Sequence, residues 1–308
     1  MAASPAVSVV IPAYNAAAFI EATLATVAAQ TFDDFEVIVI DDGSTDDTAA
    51  VAERFLKAHG LAGQTIKQPN KKIAGARNTG WRAARAPWIA FLDHDDAWYP
   101  NKLERTLKEI ATHPDAELVC HNENVTEGGR LLRVCKNGPD WTPDMYERLL
   151  FKGNALSPSC VTVKREKLEE VGGFREDAQF NTVEDYDLWM RLAKVCRFHF
   201  FPEVLGDYHF EERGASRRIV YHHTNLEHLL RDHFRSLFGE RPSLSQRLRI
   251  RRRLSGVYRS ALGLLMTYGE APQEQSRYAR LMLREFPLDP KNVAKAVVWS
   301  ARSVAHRG

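Results

Sequence analysis

Over the first 125 residues, apolar positions follow two alternating spacings. Val7-Ser8-Val9-Val10-Ile11 is a short continuous run closed by Pro12, as expected for a buried strand. Ala16 to Gln30 then repeats at helical spacing, with Phe19, Ile20, Leu24 and Val27 near one face. Phe35 to Ile40 predicts a second strand and Asp41-Asp42-Gly43-Ser44 a turn, after which Thr45 is placed to cap a helix running to about His59. Thr65–Gln68, Trp88–Leu92 and Glu117–His121 predict further strands, with helices over Ala74–Arg85 and Asn101–Thr112. Strands alternating with helices of about a dozen residues imply an α/β fold with a mainly parallel sheet covered on both faces.

Beyond residue 125 the rhythm changes. Short strands and Gly/Pro turns fill 125 to 180, Glu184–Val195 returns to helical spacing, and Cys196–Tyr208 suggests two strand pieces around Pro202. From Ile219 onward the pattern is helical, broken near Gly239–Pro242, Gly269–Pro272 and Pro287–Pro290.

In open parallel sheets, ligands bind beyond the carboxyl ends of the strands. Three polar clusters directly follow predicted strands: Pro12-Ala13-Tyr14-Asn15, Asp41-Asp42-Gly43-Ser44 and Asp93-His94-Asp95-Asp96. Taken singly, each is compatible with a turn, a strand end or a helix cap. Together they supply parts for a nucleotide site. Tyr14 can stack on a base, Asp41 can accept from a base N–H, and Asp93 can accept from a ribose hydroxyl. Asp95 offers a hard oxygen ligand to Mg²⁺ or Mn²⁺ at phosphates. Asp96 is suited to bracing the turn, with His94 a spacer. No GxGxxG and no GxxxxGK[ST] occurs, so neither a dinucleotide fingerprint nor a P-loop is supported.

Composition adds two points. The four cysteines form no CxxC pair, which argues against a zinc site or disulfide framework and fits a reducing cytosol. The N-terminus has no basic region before its short apolar run, and no stretch of 18 apolar residues exists, so neither a secretory signal nor a membrane span is expected. The net charge of +2 hides an asymmetry, because residues 241 to 308 carry 14 Lys+Arg against 4 Asp+Glu. Arg247, Arg249, Arg251, Arg252 and Arg253 crowd one stretch and wrap around a helix, so they cannot all meet one acidic surface. The tail can dock on the acidic body, mediate a homodimer, or draw the protein to anionic lipid at about 1 kcal/mol per basic residue. Nucleic acid is not expected, since no recognised motif accompanies the charge.

Three segments, in order, carry a resemblance. The opening VSVVIPAYNAAAFIEATLATVAAQTFDDFEVIVIDDGSTDDT resembles that of a family 2 glycosyltransferase with the GT-A fold. GARNTGWRAARAPWIAFLDHDDAWYPNKL resembles the family's ARN segment and DxD metal motif, and VGGFREDAQFNTVEDYDLWMRLA its ED segment. The likeness covers about residues 6 to 216. It implies a catalytic domain over 1–218, with a nucleotide-binding half (1–125) and an acceptor half (126–218), followed by a basic helical extension over 219–308.

The resemblance also implies roles. Pro12, Tyr14 and Asp41 match nucleotide contacts, with Asn15 in the same cluster, and Arg77 matches a basic residue near the nucleotide. Asp93 and Asp95 match the DxD carboxylates, Asp95 as the metal ligand, and Asp185 matches the catalytic base. The implied reaction is inverting transfer from a nucleotide sugar, expected to be a UDP-sugar, with Mn²⁺ or Mg²⁺, to a glycan or lipid-linked acceptor in cell-surface polysaccharide biosynthesis. The expected location is cytoplasmic and peripheral at the inner membrane face.

There are departures from the family. Lys72 and Ala74 stand where Gly and Ser are common, leaving Lys72 either solvent-facing or a phosphate contact. The loop before Ser216 aligns loosely, with Glu211 at the usual histidine position and His209 nearby. No QxxRW occurs, which speaks against a processive synthase. Two rivals stay open. A sugar-phosphate nucleotidylyltransferase would need a Gly-rich loop where Pro12–Asn15 stands. A non-catalytic sugar-binding module would have no need of both Asp95 and Asp185.

Overall fold

The structure is a computed structural model describing residues 4–138, 142–209, 215–268 and 271–305. In chain order the first unit contains β1 (Val7–Ala13), α1 (Ile20–Ala28), β2 (Phe35–Asp41), α2 (Thr48–Ala58), β3 (Gly63–Lys67) and α3 (Lys72–Ala83). It continues with β4 (Trp88–Phe91), β5 (Ala97–Trp98), α4 (Lys102–Thr112), β6 (Leu118–Glu127), β7 (Arg130–Cys135), α5 (Met145–Lys152), β8 (Val161–Lys164), α6 (Arg165–Val171), α7 (Glu184–Leu192) and β9 (Phe198–His209). The second unit is built on α8 (Ala215–Phe238), α9 (Leu244–Tyr268), α10 (Pro272–Glu285) and α11 (Pro290–Ala305). Two short segments earlier in the chain, Leu150–Gly153 and Ala178–Val183, belong to this second unit.

The sheet runs β3-β2-β1-β4-β8-β6-β9-β5, with β7 paired to β6. Its first half is parallel, β3 to β4, while β8 pairs antiparallel with both β4 and β6. β1 and β2 are buried at every position, as strands covered on both faces must be. Pro12 lies inside β1 without breaking it. The β4 partner register ends at Val10, so beyond that point no neighbour on that side requires a donor. Helix α3 presses on the sheet through Gly80, where an added Cβ would lie 2.3 Å from Val10 Cγ1. β6 and β9 pair in parallel, and their register shifts near Asn122, whose side chain donates to the Pro202 carbonyl at 3.1 Å. The predicted two pieces around Pro202 are therefore one irregular strand.

Two predicted helix starts are corrected. The first helix begins at Ile20 rather than Ala16, because the Ala16 and Ala17 N–H groups are bonded to Thr48 Oγ1 and Asp46 Oδ2. Phe19, expected on the apolar face, is 44% exposed. Helix α2 begins at Thr48, and Thr45 is not its cap. The Thr45 N–H instead donates to Asn15 Oδ1 at 2.9 Å. In both cases a contact between two loops outweighs the local helix signal.

In the second unit, α9 buries Leu254, Tyr258, Leu262 and Leu265 against α8, α10 and α11. No helix among the described residues is long and apolar enough to cross a membrane.

Candidate active site

The parallel register brings the carboxyl ends of β1, β2 and β4 to one edge. Ala13 pairs with Asp41, and the Leu92 N–H bonds to the Val10 carbonyl, so Asp93 emerges beside Pro12. The first two loops are stitched together. Asn15, at φ 49°, donates its N–H to Ser44 Oγ at 2.9 Å, and its side-chain oxygen accepts the Thr45 N–H. Asp41 is buried, with Oδ1 accepting the Ser44 N–H at 3.0 Å. Its neighbour Asp42, to which the polar cluster alone assigns no role, is also buried and accepts from Gln68 Nε2 and the Lys71 N–H. Tyr14 is left 47% exposed at this edge, an aromatic face presented to solvent. Lys72 is exposed, with φ 63°.

The acidic loop after β4 is held from three sides. Thr23 of α1 donates its hydroxyl to the carbonyls of His94 and Asp96, and the His94 ring donates through Nδ1 to the Pro12 carbonyl at 3.2 Å. His94, expected as a spacer, is thus also a strut between the acidic loop and β1. Asp96 is 2% exposed and braces the turn, with Oδ2 receiving the Ser159 hydroxyl at 2.6 Å and Oδ1 the His209 N–H at 3.2 Å. The His209 ring donates through Nδ1 to the Asp95 carbonyl at 2.6 Å. Residues 210–214, including Glu211, lie outside the described residues.

The local field is strongly negative. Burial pushes the Asp96 carboxyl well above the usual carboxylate range, and the charges of Asp93, Asp95 and Glu123 push it further. Glu123 of β6, which carried no motif in the sequence, is itself raised, first by burial and then by Asp93. The same three aspartates act with burial on Tyr208, pushing its hydroxyl up to about 12. Hard oxygen donors in an under-compensated negative field are the donor set that fits Mg²⁺ or Mn²⁺.

Arg77 joins this loop to the ED segment. It is fully buried on α3, with Nη2 2.7 Å from Asp93 Oδ1 and Nη1 2.7 Å from Glu184 Oε1. Its face lies over the Phe174 ring at 5.5 Å. The two carboxylates outweigh burial and hold the guanidinium charged. At Glu184 burial dominates, pushing its carboxyl up to about 7. One cation shared between two carboxylates leaves Glu184 under-compensated, and Glu184 Oε2 and Arg77 Nε have no hydrogen-bond partner among the described residues. Asn78, the next residue, fixes the same segment, donating to the Phe174 carbonyl at 2.8 Å and accepting the Phe174 N–H at 2.9 Å.

Asp185 opens α7 and is only partly buried, with Asn154 Nδ2 3.3 Å from its Oδ2. Asp187, two positions on, is wholly buried between Arg191 at 2.7 Å and Arg175 at 3.6 Å. It serves structure, since its charge is already paired.

The family model described as Glycosyl transferase family 2 matches residues 8–172. The chain belongs to this family. It is 31% identical to the amylovoran biosynthesis glycosyltransferase AmsB of Erwinia amylovora over 220 residues, covering 68% of this chain and 71% of the relative. Two solved structures share the fold at low identity. Staphylococcus aureus TarS 1-349 in complex with UDP-GlcNAc gives a TM-score of 0.59 at 18% identity, over 91% of this chain and 89% of that one. The mannosyltransferase PcManGT of Pyrobaculum calidifontis, in complex with GDP-Man and Mn²⁺, gives 0.59 at 21%, over 97% and 88%. The chain spans between 36% and 63% of the length of the first curated relatives, from Rickettsia. The chain thus carries a family 2 glycosyltransferase domain of GT-A fold, which decides against the nucleotidylyltransferase reading.

Proposed function

We propose that this glycosyltransferase is inverting and metal-dependent, and that it moves one sugar from a UDP-sugar to a glycan or lipid-linked acceptor in cell-surface polysaccharide biosynthesis. The observation that carries the reading is the Asp93–Arg77–Glu184 bridge, because it ties the acidic loop to the helix that bears Asp185. Asp185 takes the proton of the acceptor hydroxyl as its oxygen bonds to the anomeric carbon and the bond to the nucleoside diphosphate breaks. A placed base of this kind contributes about 10²- to 10⁴-fold. Tyr14, Asn15, Asp41 and Pro12 form the nucleotide edge, Asp93 faces the ribose, and Arg77 fixes Asp93. Asp95 would hold Mn²⁺ or Mg²⁺, which supplies charge stabilisation to the diphosphate when bound. AmsB is an amylovoran biosynthesis glycosyltransferase, and TarS and PcManGT are seen with nucleotide sugars, which supports the donor class.

The same reading assigns residues 1–218 to catalysis, with donor half 1–125 and acceptor half 126–218, and 219–308 to the helical extension. It makes the protein cytoplasmic and peripheral at an anionic inner membrane face, with homodimerisation through the C-terminal helices, whose α11 exposes Val293, Val297 and Val298. The test is a thermal-shift series of nucleotide sugars with and without Mn²⁺. A donor at 100-fold excess over its dissociation constant adds about 2.7 kcal/mol. Stabilisation by a donor that survives EDTA unchanged, or that persists in Asp95→Ala, would remove the metal from the reading.

A further inference from the structure

The second unit contains a cavity of about 940 Å³ whose wall is unusually cationic. Arg249, Arg252, Arg253 and Arg259 enter it from α9, Lys152 from the last turn of α5, and Lys291 from the first turn of α11. At 100° per residue the four α9 arginines fall in a stripe about 120° wide, leaving Arg247 and Arg251 on the other side. The basic run seen in the sequence is thereby sorted. Arg251 donates to the Arg284 carbonyl at 2.6 Å and approaches Glu285, whereas the stripe faces the cavity.

Several of these cations are held in place. Arg259 Nη1 donates to Asn292 Oδ1 at 2.7 Å. Asn292 is fully buried and is itself fixed by Ser255 Oγ and the Phe286 carbonyl. Arg253 donates through Nε to the Leu150 carbonyl at 2.9 Å, and the Arg249 guanidinium lies over the Phe151 ring at 4.0 Å. The one acidic residue of the wall is Asp289, which accepts the Lys291 N–H at 2.8 Å and lies 3.7 Å from Arg259. Among the described residues no carboxylate pairs with Lys152, Arg252 or Lys291. The positive end of the 16-residue helix α11 adds to the field.

We propose that this cavity binds a ligand bearing two or more phosphate groups. Six cations converging on one open space repel one another, and the fork of a guanidinium matches phosphate oxygens in pairs. The volume lies at the upper end of the range for small-ligand sites and exceeds what one phosphate fills. Phe151 and Phe286 offer apolar wall, and Leu288, 87% exposed, stands in the lining. The site goes beyond the transfer reading and does not rest on it.

The shared chemistry can come from a soluble diphosphate or from phosphate headgroups of a lipid surface, and two arms separate them. The full chain is kept in EDTA, which removes the metal through which the donor edge would hold a diphosphate. It is then titrated with inorganic pyrophosphate by calorimetry, and separately with phosphatidylglycerol vesicles against phosphatidylcholine vesicles by co-sedimentation. The comparison variant is Arg252→Ala/Lys291→Ala, which removes two exposed side chains that pair with no carboxylate among the described residues. Lys152→Ala is a second, single variant.

Pyrophosphate binding weakened about 100-fold in the double variant and about tenfold in the single one supports the site with a soluble ligand, at about tenfold per charge-assisted contact. Selective sedimentation with phosphatidylglycerol that is lost in the double variant, without pyrophosphate binding, supports it with a lipid source. Wild-type protein that ignores both probes, or variants that bind either as wild type does, overturns the proposal.

Discussion

Arg77→Met tests whether a single buried cation organises the acidic loop and the ED segment. The substitution keeps the stem and removes the charge between Asp93 and Glu184. Asp93 retains 24% side-chain exposure and can rehydrate, but Glu184 retains 5% and cannot. The cost therefore falls mainly on Glu184, and leaving one buried carboxylate without its partner costs about 3–5 kcal/mol. That is a large share of the 5–15 kcal/mol typical of a domain. The loss should depend on pH in a defined direction. Glu184 sits at about 7 with Arg77 present and rises further without it. Below 7 the carboxyl is protonated in both proteins and the difference shrinks. As pH rises through 7 the variant alone must retain a costly proton or bear a bare charge, at up to about 1.4 kcal/mol per pH unit. Urea denaturation at pH 6.0 and 8.5 should show a larger loss at the higher pH by about 1–2 kcal/mol. Adding Glu184→Gln to Arg77→Met should recover much of it, because a neutral amide needs no counter-charge. If Arg77→Met fails to fold, Arg77→Lys is the substitute, since one ammonium cannot span both carboxylates and a smaller loss of the same pH sign is expected. A loss that is flat with pH and indifferent to Glu184→Gln would refute the shared-cation account.

Three further outcomes are expected. Asp185→Asn should leave the donor-induced thermal shift intact and lower kcat by about 10²- to 10⁴-fold, and wild-type kcat in that variant would dismiss Asp185 as the base. Gly173→Ala should destabilise by about 2–4 kcal/mol in urea melts. The residue has φ 71°, and an added Cβ would lie 2.5 Å from Asn78 Oδ1 and 2.8 Å from Trp81. Lys102, fully buried over the Trp98 ring at 3.7 Å, is held down by burial to about 7 from an ordinary 10.5. The folded chain then binds fewer protons than the unfolded one between those values, so the destabilisation this group imposes is full at and below 7 and is relieved as pH rises to about 10.5. Lys102→Met should raise Tm at pH 7 and flatten that slope, and an unchanged slope counts against the buried charge.

Much of the fold could be read along the chain, and for a physical reason. Strands covered on both faces must be apolar at nearly every position, so β1, β2 and β4 stand out, and the polar runs that follow them mark the ligand edge. The helix starts were less legible. Ala16, Ala17 and Thr45 carry ordinary local signals, but their N–H groups are engaged by side chains from another segment of the chain. Strands β7 and β8 hide in a stretch of mixed turns, and Glu123 follows no motif although it shares the field of the three aspartates.

The sequence by itself determined the alternating α/β plan, the three polar clusters after strands and the residue types at the DxD and ED segments. Those follow from periodicity and side-chain chemistry, which are local. Only the tertiary structure decided that Arg77 is the bridge between Asp93 and Glu184, because a contact across 107 positions has no local trace. It likewise decided that the tail's arginines divide into those that pair outside and those that line a cavity with Lys152 and Lys291. Helix periodicity puts residues on a side, but the partners that give that side a function arrive from elsewhere in the chain.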